Sequence, residues 1–244
     1  MTFTLSIDVG GSGIKAMVLN EQCEPVSERS RRETPYPCSP ELFLQMVSEL
    51  VADQPFFERV SVGFPAIVRN GHIYRASAYA RAVRSGPRDP ELFALWNGYP
   101  LQDRISELVN APTLVINDAD MQGCAVVTGV GMEFVVTLGT GVGTGVFYNG
   151  HLLPHMELSH GSFAGTNIDI ALGDAQRKVI GNKEWRPLVT KALIDFDAMF
   201  FPDKMFIGGG NAKRLREEDL IPGCEIVPNT AGLVGGVRAW EFVT

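Results

Sequence analysis

Short apolar runs alternate with turns before any long periodic stretch appears. "FTLSIDV" and "IKAMVLN" read as strands joined at glycines, "RVSVGFP" as a third, and Pro40 to Ala52 between them has the spacing of an amphipathic helix. From Gly71 to Pro100 the pattern turns irregular. Prolines and glycines break "RAVRSGPRDPELFALWNGYP", which predicts a loop excursion beside a site. "PLQDRISELVN" is helical again, "TLVI" is a short strand, and "DADMQGCAVVTG" predicts a helix opened by an acidic cap. Two strands around glycines follow in "EFVVTLGTGVGTGVFYNGHLL". An almost wholly helical stretch then runs from Asn167 to Phe200, a strand "KMFIGGG" feeds a helix, and "NTAGLVGGVRAWEF" closes the chain as another. The class is α/β.

One internal similarity bears on architecture. A shift of 129 positions lays "IDVGGSGIKAMVLNE" over "VTLGTGVGTGVFYNG", matching Gly10 with Gly139, Val18 with Phe147 and Asn20 with Asn149. Both stretches read strand, small-residue turn, strand. The repeat predicts two similar lobes, 1–115 and 116–244, with a ligand held in the cleft between them.

Composition narrows the function. With 244 residues, 45% of them hydrophobic, the chain can bury a full core. A net charge of −7 repels a phosphate backbone and argues against nucleic acid as partner. No apolar run approaches the roughly 20 residues that cross a bilayer, and no basic region precedes an apolar leader, so no membrane is expected and the location is expected to be cytoplasmic. Cys23, Cys38, Cys124 and Cys224 form no CxxC pair and indicate neither a zinc knuckle nor a disulfide framework.

The glycine turns carry the candidate chemistry. "DVGGSGIK" sets Asp8 before three glycines and Lys15 behind them. It reads either as a phosphate cradle, with backbone amides and Lys15 on the anion and Asp8 on a hydrated Mg²⁺, or as an ordinary hairpin with a surface lysine. "LGTGVGTG" is a second such turn with Thr140 and Thr144 as hydroxyl donors, and "FIGGGNAK" a third, running into a helix N-terminus suited to an anion or a flat base. In "VINDADMQG", Asp118 is either a helix cap or a carboxylate at a strand end that accepts a proton from a substrate hydroxyl. Asp120 reads as a first-turn dipole partner. "PHMELSHG" sets Glu157 and His160 three residues apart, as a solvated polar loop or as two groups bonding sugar hydroxyls. His72, His151 and His155 read as surface histidines.

Taken in order, "DVGGSGIK", "GFPAIV", "INDAD", "TLGTGVGTG", "ELSHG", "FIGGG" and "NTAGLVGG" resemble the ROK sugar kinases, above all their short glucokinase and polyphosphate-glucokinase branch. The likeness runs from Ile7 to about Gly236. It implies an actin-like (ribonuclease H-like) duplicated fold and phosphoryl transfer from ATP or polyphosphate to a hexose, with glucose at its 6-hydroxyl as the leading acceptor. By the family pattern Asp118 is the catalytic base, and Asn117, Glu157 and His160 hold the sugar. Asp8, Gly10, Gly11, Ser12 and Lys15 face the phosphates with Asp8 near Mg²⁺, while Gly139, Thr140, Gly141, Gly143, Gly208, Gly209 and Gly210 line the donor site. A homodimer is implied as well. Two departures stand out. Ser159 replaces the glycine of the family's E-x-G-H, which bears on sugar choice, and no cysteines follow His160, so zinc is not expected. The catalytic-type strand starts by Phe3 without a helix-turn-helix, which disfavours DNA repression. The rival readings are a kinase for another small acceptor such as pantothenate, and a non-catalytic sugar-binding module.

Overall fold

The apolar alternation of "TLSIDVG" and "GIKAMVL" folds as a β-hairpin, β1 (Thr4–Gly10) and β2 (Gly13–Leu19), antiparallel from Thr4↔Leu19 to Gly10↔Gly13. The computed structural model describes residues 2–84, 86–228 and 231–243, the side chain of Ala231 excepted. The chain forms two units, Met1–Ala125 with Gly232–Trp240, and Val126–Ala231 with Glu241–Thr244.

In the first unit β3 (Ser30–Arg32) extends the hairpin, and α1 (Pro40–Ala52) starts where the Ser39 side chain accepts the Leu42 N–H, with Pro40 opening the helix. Then come β4 (Arg59–Phe64), the ribbon of β5 (Ile67–Arg69) and β6 (His72–Tyr74), α2 (Pro90–Trp96), α3 (Leu101–Val109), β7 (Thr113–Asn117) and α4 (Asp118–Cys124). The sheet order is β3-β2-β1-β4-β7, with β1, β4 and β7 parallel. The irregular stretch thus contains a helix. Asp89 accepts the N–H groups of Glu91 and Leu92, and Pro90 opens α2, a start signal hidden among breakers. Apolar faces of α1, α2 and β4 meet in a ring cluster of Phe43, Phe64, Tyr79 and Trp96, with centroids 4.9–6.0 Å apart.

The second unit repeats the plan. It contains β8 (Met132–Leu138), β9 (Val142–Tyr148), β10 (His151–Leu152), a small hairpin of β11 (Ser162–Phe163) and β12 (Thr166–Asn167), α5 (Ile168–Leu172), α6 (Asp174–Phe200), β13 (Lys204–Gly208) and β14 (Cys224–Ile226). Its sheet order, β10-β9-β8-β13-β14, has the same strand directions as the first. The duplication expected from the sequence is therefore present, with one adjustment. Four residues, 10–13, separate the paired Val9 and Ile14, but only three, 139–141, separate the equivalent Leu138 and Val142. The second hairpin is a residue shorter, so Val18 corresponds to Val146 rather than Phe147, and Lys15 to Gly143. The expected long helix is also interrupted. Gly173 separates α5 from α6, and Gly181, at φ 78°, breaks α6 itself.

The last helix, α7 (Ala231–Phe242), lies close against β1 and β4 because it is built of glycines: any Cβ at Gly236 would collide with Ser6, and the Gly236 carbonyl accepts the Ser61 hydroxyl at 2.6 Å. Asn229 and Thr230 of "NTAGLVGG" fall outside the described residues. Among the described residues no helix is long and apolar enough to cross a membrane, and none of the four cysteines is in a disulfide.

Candidate active site

Asp8, Gly63 and Asn117 lie towards the C-terminal ends of three parallel strands: Asp8 is level with Gly63, and Asn117 with Phe64, one residue further on. This is where open parallel sheets expose reactive groups. Asn117 ends β7 and caps α4. Its Oδ1 accepts from Ala119 at 2.7 Å and Asp120 at 3.4 Å, and its Nδ2 donates to the Ala66 carbonyl at 3.0 Å. The expected acidic cap is therefore corrected. Asn117 does the capping, because its position still has extended backbone (φ −64°, ψ 150°), and Asp118 becomes the first helical residue. Asn117 is 4% exposed, with its Oδ1 on the helix cap and one Nδ2 hydrogen on the Ala66 carbonyl. Gly63 makes the room. A Cβ there would stand 2.6 Å from Met121 Cε and 3.2 Å from Asp118 Cα. Asp120 lies in the same first turn, as expected of a dipole partner, and is buried there.

The "DVGGSGIK" turn is a hairpin, yet hairpin geometry does not explain its glycines. Two-residue turns ordinarily require glycine for positive φ, whereas neither Gly11 nor Ser12 has one. A Cβ at Gly11 would meet only the Tyr36 hydroxyl, at an ordinary 3.5 Å. Three successive carbonyls are tied from one side. Gly10 O accepts Thr34 Oγ1 at 2.7 Å and Tyr79 OH at 3.3 Å, Gly11 O accepts Tyr36 OH at 2.9 Å, and Ser12 O accepts Arg31 Nη2 at 2.9 Å. In a trans peptide C=O and N–H point oppositely, so the amides that follow these carbonyls face away from those donors. Asp8 and Lys15 are cross-strand partners with an ion pair of 2.8 Å. Gly232 in α7 approaches the same carboxylate, since a Cβ there would lie 3.3 Å from Asp8 Cγ.

Tyr79 connects the turn to Asp118. Burial raises its phenol well above the ordinary range, a hydrogen bond with Thr34 opposes that, and the Asp118 charge adds to the rise. The same buried ring that holds Gly10 thus feels the carboxylate of Asp118. Thr34, Tyr36, Tyr79 and Gly63 were not singled out from the sequence. Thr34 and Tyr36 occur in the aperiodic "TPYP" connection, and nothing in their spacing marks them.

In the second unit the structure joins "LGTGVGTG" to "FIGGGNAK". Asn211 N–H donates to Leu138 O at 2.9 Å and its Nδ2 to Gly139 O at 3.0 Å, while Gly209, at φ 86°, leaves no room for a Cβ against Leu138. Asp169 accepts the Val142 N–H at 2.8 Å, and the Asp174 N–H reaches the Thr140 carbonyl at 3.1 Å. Gly139, Thr140, Gly141 and Gly143 thus lie on one hairpin beside Gly208, Gly209 and Gly210. An open cavity of about 410 Å³ adjoins them, lined by Gly209, Gly210, Ala212, Lys213, Ile226, Val227 and Pro228. Two expectations are corrected. "GGGNAK" enters only a three-residue 3₁₀ turn, Ala212–Arg214, too short for a helix dipole, and Thr144 donates its hydroxyl to the Met156 carbonyl at 3.1 Å rather than outward.

Glu157 and His160 flank a single 3₁₀ turn, Leu158–His160, so one short element carries both. His155 is no surface histidine. It is 6% exposed, with Nε2 3.8 Å from Glu157 Oε1. Ser159 is 1% exposed and has no positive φ, so this backbone does not require a glycine there. His72 is half-buried against the Asn70 carbonyl and His151 is exposed.

Two units of one topology, each opening on a β-hairpin with a glycine turn, define an actin-like protein of the sugar-kinase type. The ROK family profile matches residues 4–163. The chain belongs to the ROK family. It is 28% identical over 251 residues to a polyphosphate glucokinase of Mycobacterium tuberculosis (strain CDC 1551 / Oshkosh), covering 96% of this chain and 89% of that one. The crystal structure of an inorganic polyphosphate/ATP-glucomannokinase from Arthrobacter sp. strain KM superposes with a TM-score of 0.78 at 26% identity, over 99% of this chain and 100% of the other. A ROK family glucokinase from Streptomyces griseus, solved with glucose and AMPPNP, shares the fold at 17% identity, with a TM-score of 0.68 over 97% of this chain and 98% of that one.

Proposed function

We propose that this protein phosphorylates a hexose, glucose at its 6-hydroxyl, from ATP or polyphosphate. Asp118 accepts the hydroxyl proton while the sugar oxygen forms its bond to phosphorus and the donor's bridging P–O bond breaks. The observation that carries this reading is the division of labour at β7–α4: Asn117 takes the cap, which relieves Asp118 of that structural duty beside the strand-end row of Asp8 and Gly63. The amides after Gly10 and Gly11, together with Lys15, suit the transferring phosphoryl oxygens. Glu157 and His160 suit the sugar hydroxyls, and the glycines of the second unit suit the donor.

A divalent metal fits this set. Asp8 sets one hard carboxylate beside the glycine turn, and one or two carboxylates with donor phosphates are the usual ligands of Mg²⁺. Held by Asp8 and the donor, Mg²⁺ would supply charge neutralisation on the phosphoryl oxygens. A cytoplasmic location, where donor and free hexose meet, and pairing of two copies complete the proposal. The exposed Val179 and Met199 on α6 and Phe201 at its C-cap favour the pairing.

The test is a panel of hexoses against ATP, GTP and polyphosphate with detection of sugar phosphate. Glucose 6-phosphate is the expected product. Sugar bound by calorimetry but phosphorylated from no donor would leave a sugar-binding module instead.

A further inference from the structure

Beyond the residues assigned to transfer, the first unit accumulates arginine. Residues 66–88 carry Arg69, Arg75, Arg81, Arg84 and Arg88 and no Asp or Glu, in a chain of net charge −7. Within that stretch Arg81 and Arg88 face each other across an antiparallel bridge, and the Asp89 N–H closes the loop root on the Ala80 carbonyl at 2.8 Å. Like charges directly opposite are unfavourable, and among the described residues no carboxylate relieves them. Arg81 donates to the Gly86 and Ser77 carbonyls, Arg88 lies over the Phe93 ring at 4.5 Å, and Arg84 is exposed.

The loop is anchored beside the β1–β2 turn. Tyr79, two residues before Arg81, is packed into the ring cluster and bonded to Gly10 O. Tyr36, on Gly11 O, has its phenol raised by burial, with Arg84 and then Arg81 acting against the rise. At the turn itself Arg31 is the cross-strand partner of Lys15, a second like-charge pair, with its guanidinium against Gly13 and bonded to Ser12 O. Lys15 and Arg31 thus stand on the strand of the turn and its neighbour, and Arg81, Arg84 and Arg88 are carried by the loop that Tyr79 ties to the Gly10 carbonyl. The compact triphosphate of a nucleotide does not call for so wide a field. A linear chain of singly charged phosphates does, because each added cation releases a counterion along it.

We propose that Arg81, Arg84 and Arg88 together with Arg31 form a subsite for the distal phosphates of an inorganic polyphosphate chain whose terminal phosphates lie at the Gly10–Gly13 turn. The inference rests on the reading of that turn as the phosphate site and selects polyphosphate as the donor that uses the whole surface.

Two measurements on the full chain test it. The first titrates long-chain polyphosphate and tripolyphosphate into the wild type, an Arg84→Ser/Arg88→Ser double variant and Arg31→Ser, at several salt concentrations, with melting temperatures as a check on folding. Long-chain affinity should fall about tenfold or more in the double variant, and the salt slope should drop by about one per arginine removed, with a smaller loss for tripolyphosphate. The second compares kcat/KM for long-chain polyphosphate and for ATP with glucose as acceptor, and the polyphosphate-to-ATP ratio should fall about tenfold in the double variant. Wild-type protein that does not bind polyphosphate, or variants within about twofold of wild type in affinity and ratio, would overturn the subsite. Single-stranded RNA that displaces polyphosphate with the same arginine dependence would overturn it too, as an unselective polyanion surface. Failure of the kinase reading is separable: sugar phosphate would then form from no donor, while the titration would still report on the arginines.

Discussion

The turns at Gly10–Gly13 and Gly139–Gly141 begin the same five-stranded plan in their two units, yet they are built by opposite means. The first is held from outside by the side chains of Arg31, Thr34, Tyr36 and Tyr79, and has the Asp8–Lys15 ion pair across its strands. At the matching positions the second has Thr137 opposite Gly143, without charge, and its turn is held by close backbone contact with Gly209 and Gly173 and by Asp169 and Asn211. Strand order was kept in the duplication while the chemistry round the turn was not. The cross-strand ion pair and the proposed proton acceptor belong to the first unit, and a tight backbone cradle to the second.

The largest effect expected from this division is at Asp118. Asp118→Asn keeps size and helix propensity, and because Asn117 supplies the cap, the melting temperature should stay near wild type. Turnover should fall about 10²- to 10⁴-fold, the worth of a positioned base, with sugar affinity little changed. Melting, calorimetry and turnover on one preparation decide it. Retention of most turnover would remove the proton acceptor from the first unit and dissolve the contrast.

Matched glycine substitutions test how the two turns are built. Gly209→Ala forces a side chain onto positive φ and into Leu138, and should cost about 2–4 kcal/mol of stability, read by denaturant unfolding. Gly11→Ala faces only an ordinary contact with Tyr36 and should cost less than about 0.5 kcal/mol. Equal stability losses at the two sites would show that both turns are held alike.

Most of the regular elements were legible in the chain, and the reasons the others were not are local. Alternation exposed β1, β2, β4 and β8, and amphipathic spacing from Pro40 to Ala52 exposed α1. Asp89-Pro90 is an equally good start for α2, but the breakers around it outweighed it. At the site, Asp8, Lys15 and Asp118 were legible because their residue types announce their chemistry. Asn117 as cap, Tyr79 on the Gly10 carbonyl, and buried His155 beside Glu157 were not, since each depends on which elements pack together. The one-residue difference between the hairpins was also invisible, because a glycine-rich turn aligns with itself at several offsets.

A smaller effect is expected on the short turn that carries Glu157. Glu157→Ala removes a charged hydrogen-bond acceptor and should weaken hexose binding by about 2 kcal/mol. Titration of glucose into the variant checks this, and comparison with His155→Asn separates direct contact from support, since His155 is buried behind the carboxylate. Unchanged glucose affinity in Glu157→Ala would take the residue out of the pocket.

The smallest effect concerns the backbone-held turn of the second unit. Asp174 opens α6, gives its N–H to the Thr140 carbonyl, and keeps its carboxyl at about 2, held down by Lys178 and Arg177. A folded-state value below the unfolded one makes its contribution fully present above the ordinary range near 3.8 and lost as pH falls through about 2. Its side chain is 28% exposed and its partners are partly solvated, so that contribution is screened to less than about 1 kcal/mol. Asp174→Asn should therefore be slightly less stable than wild type at pH 7, with the gap narrowing as pH drops from about 4 towards 2. Urea unfolding of both proteins across that range measures it. A gap that stays constant with pH would assign Asp174 to the turn through its backbone alone, which is how the rest of that turn is held.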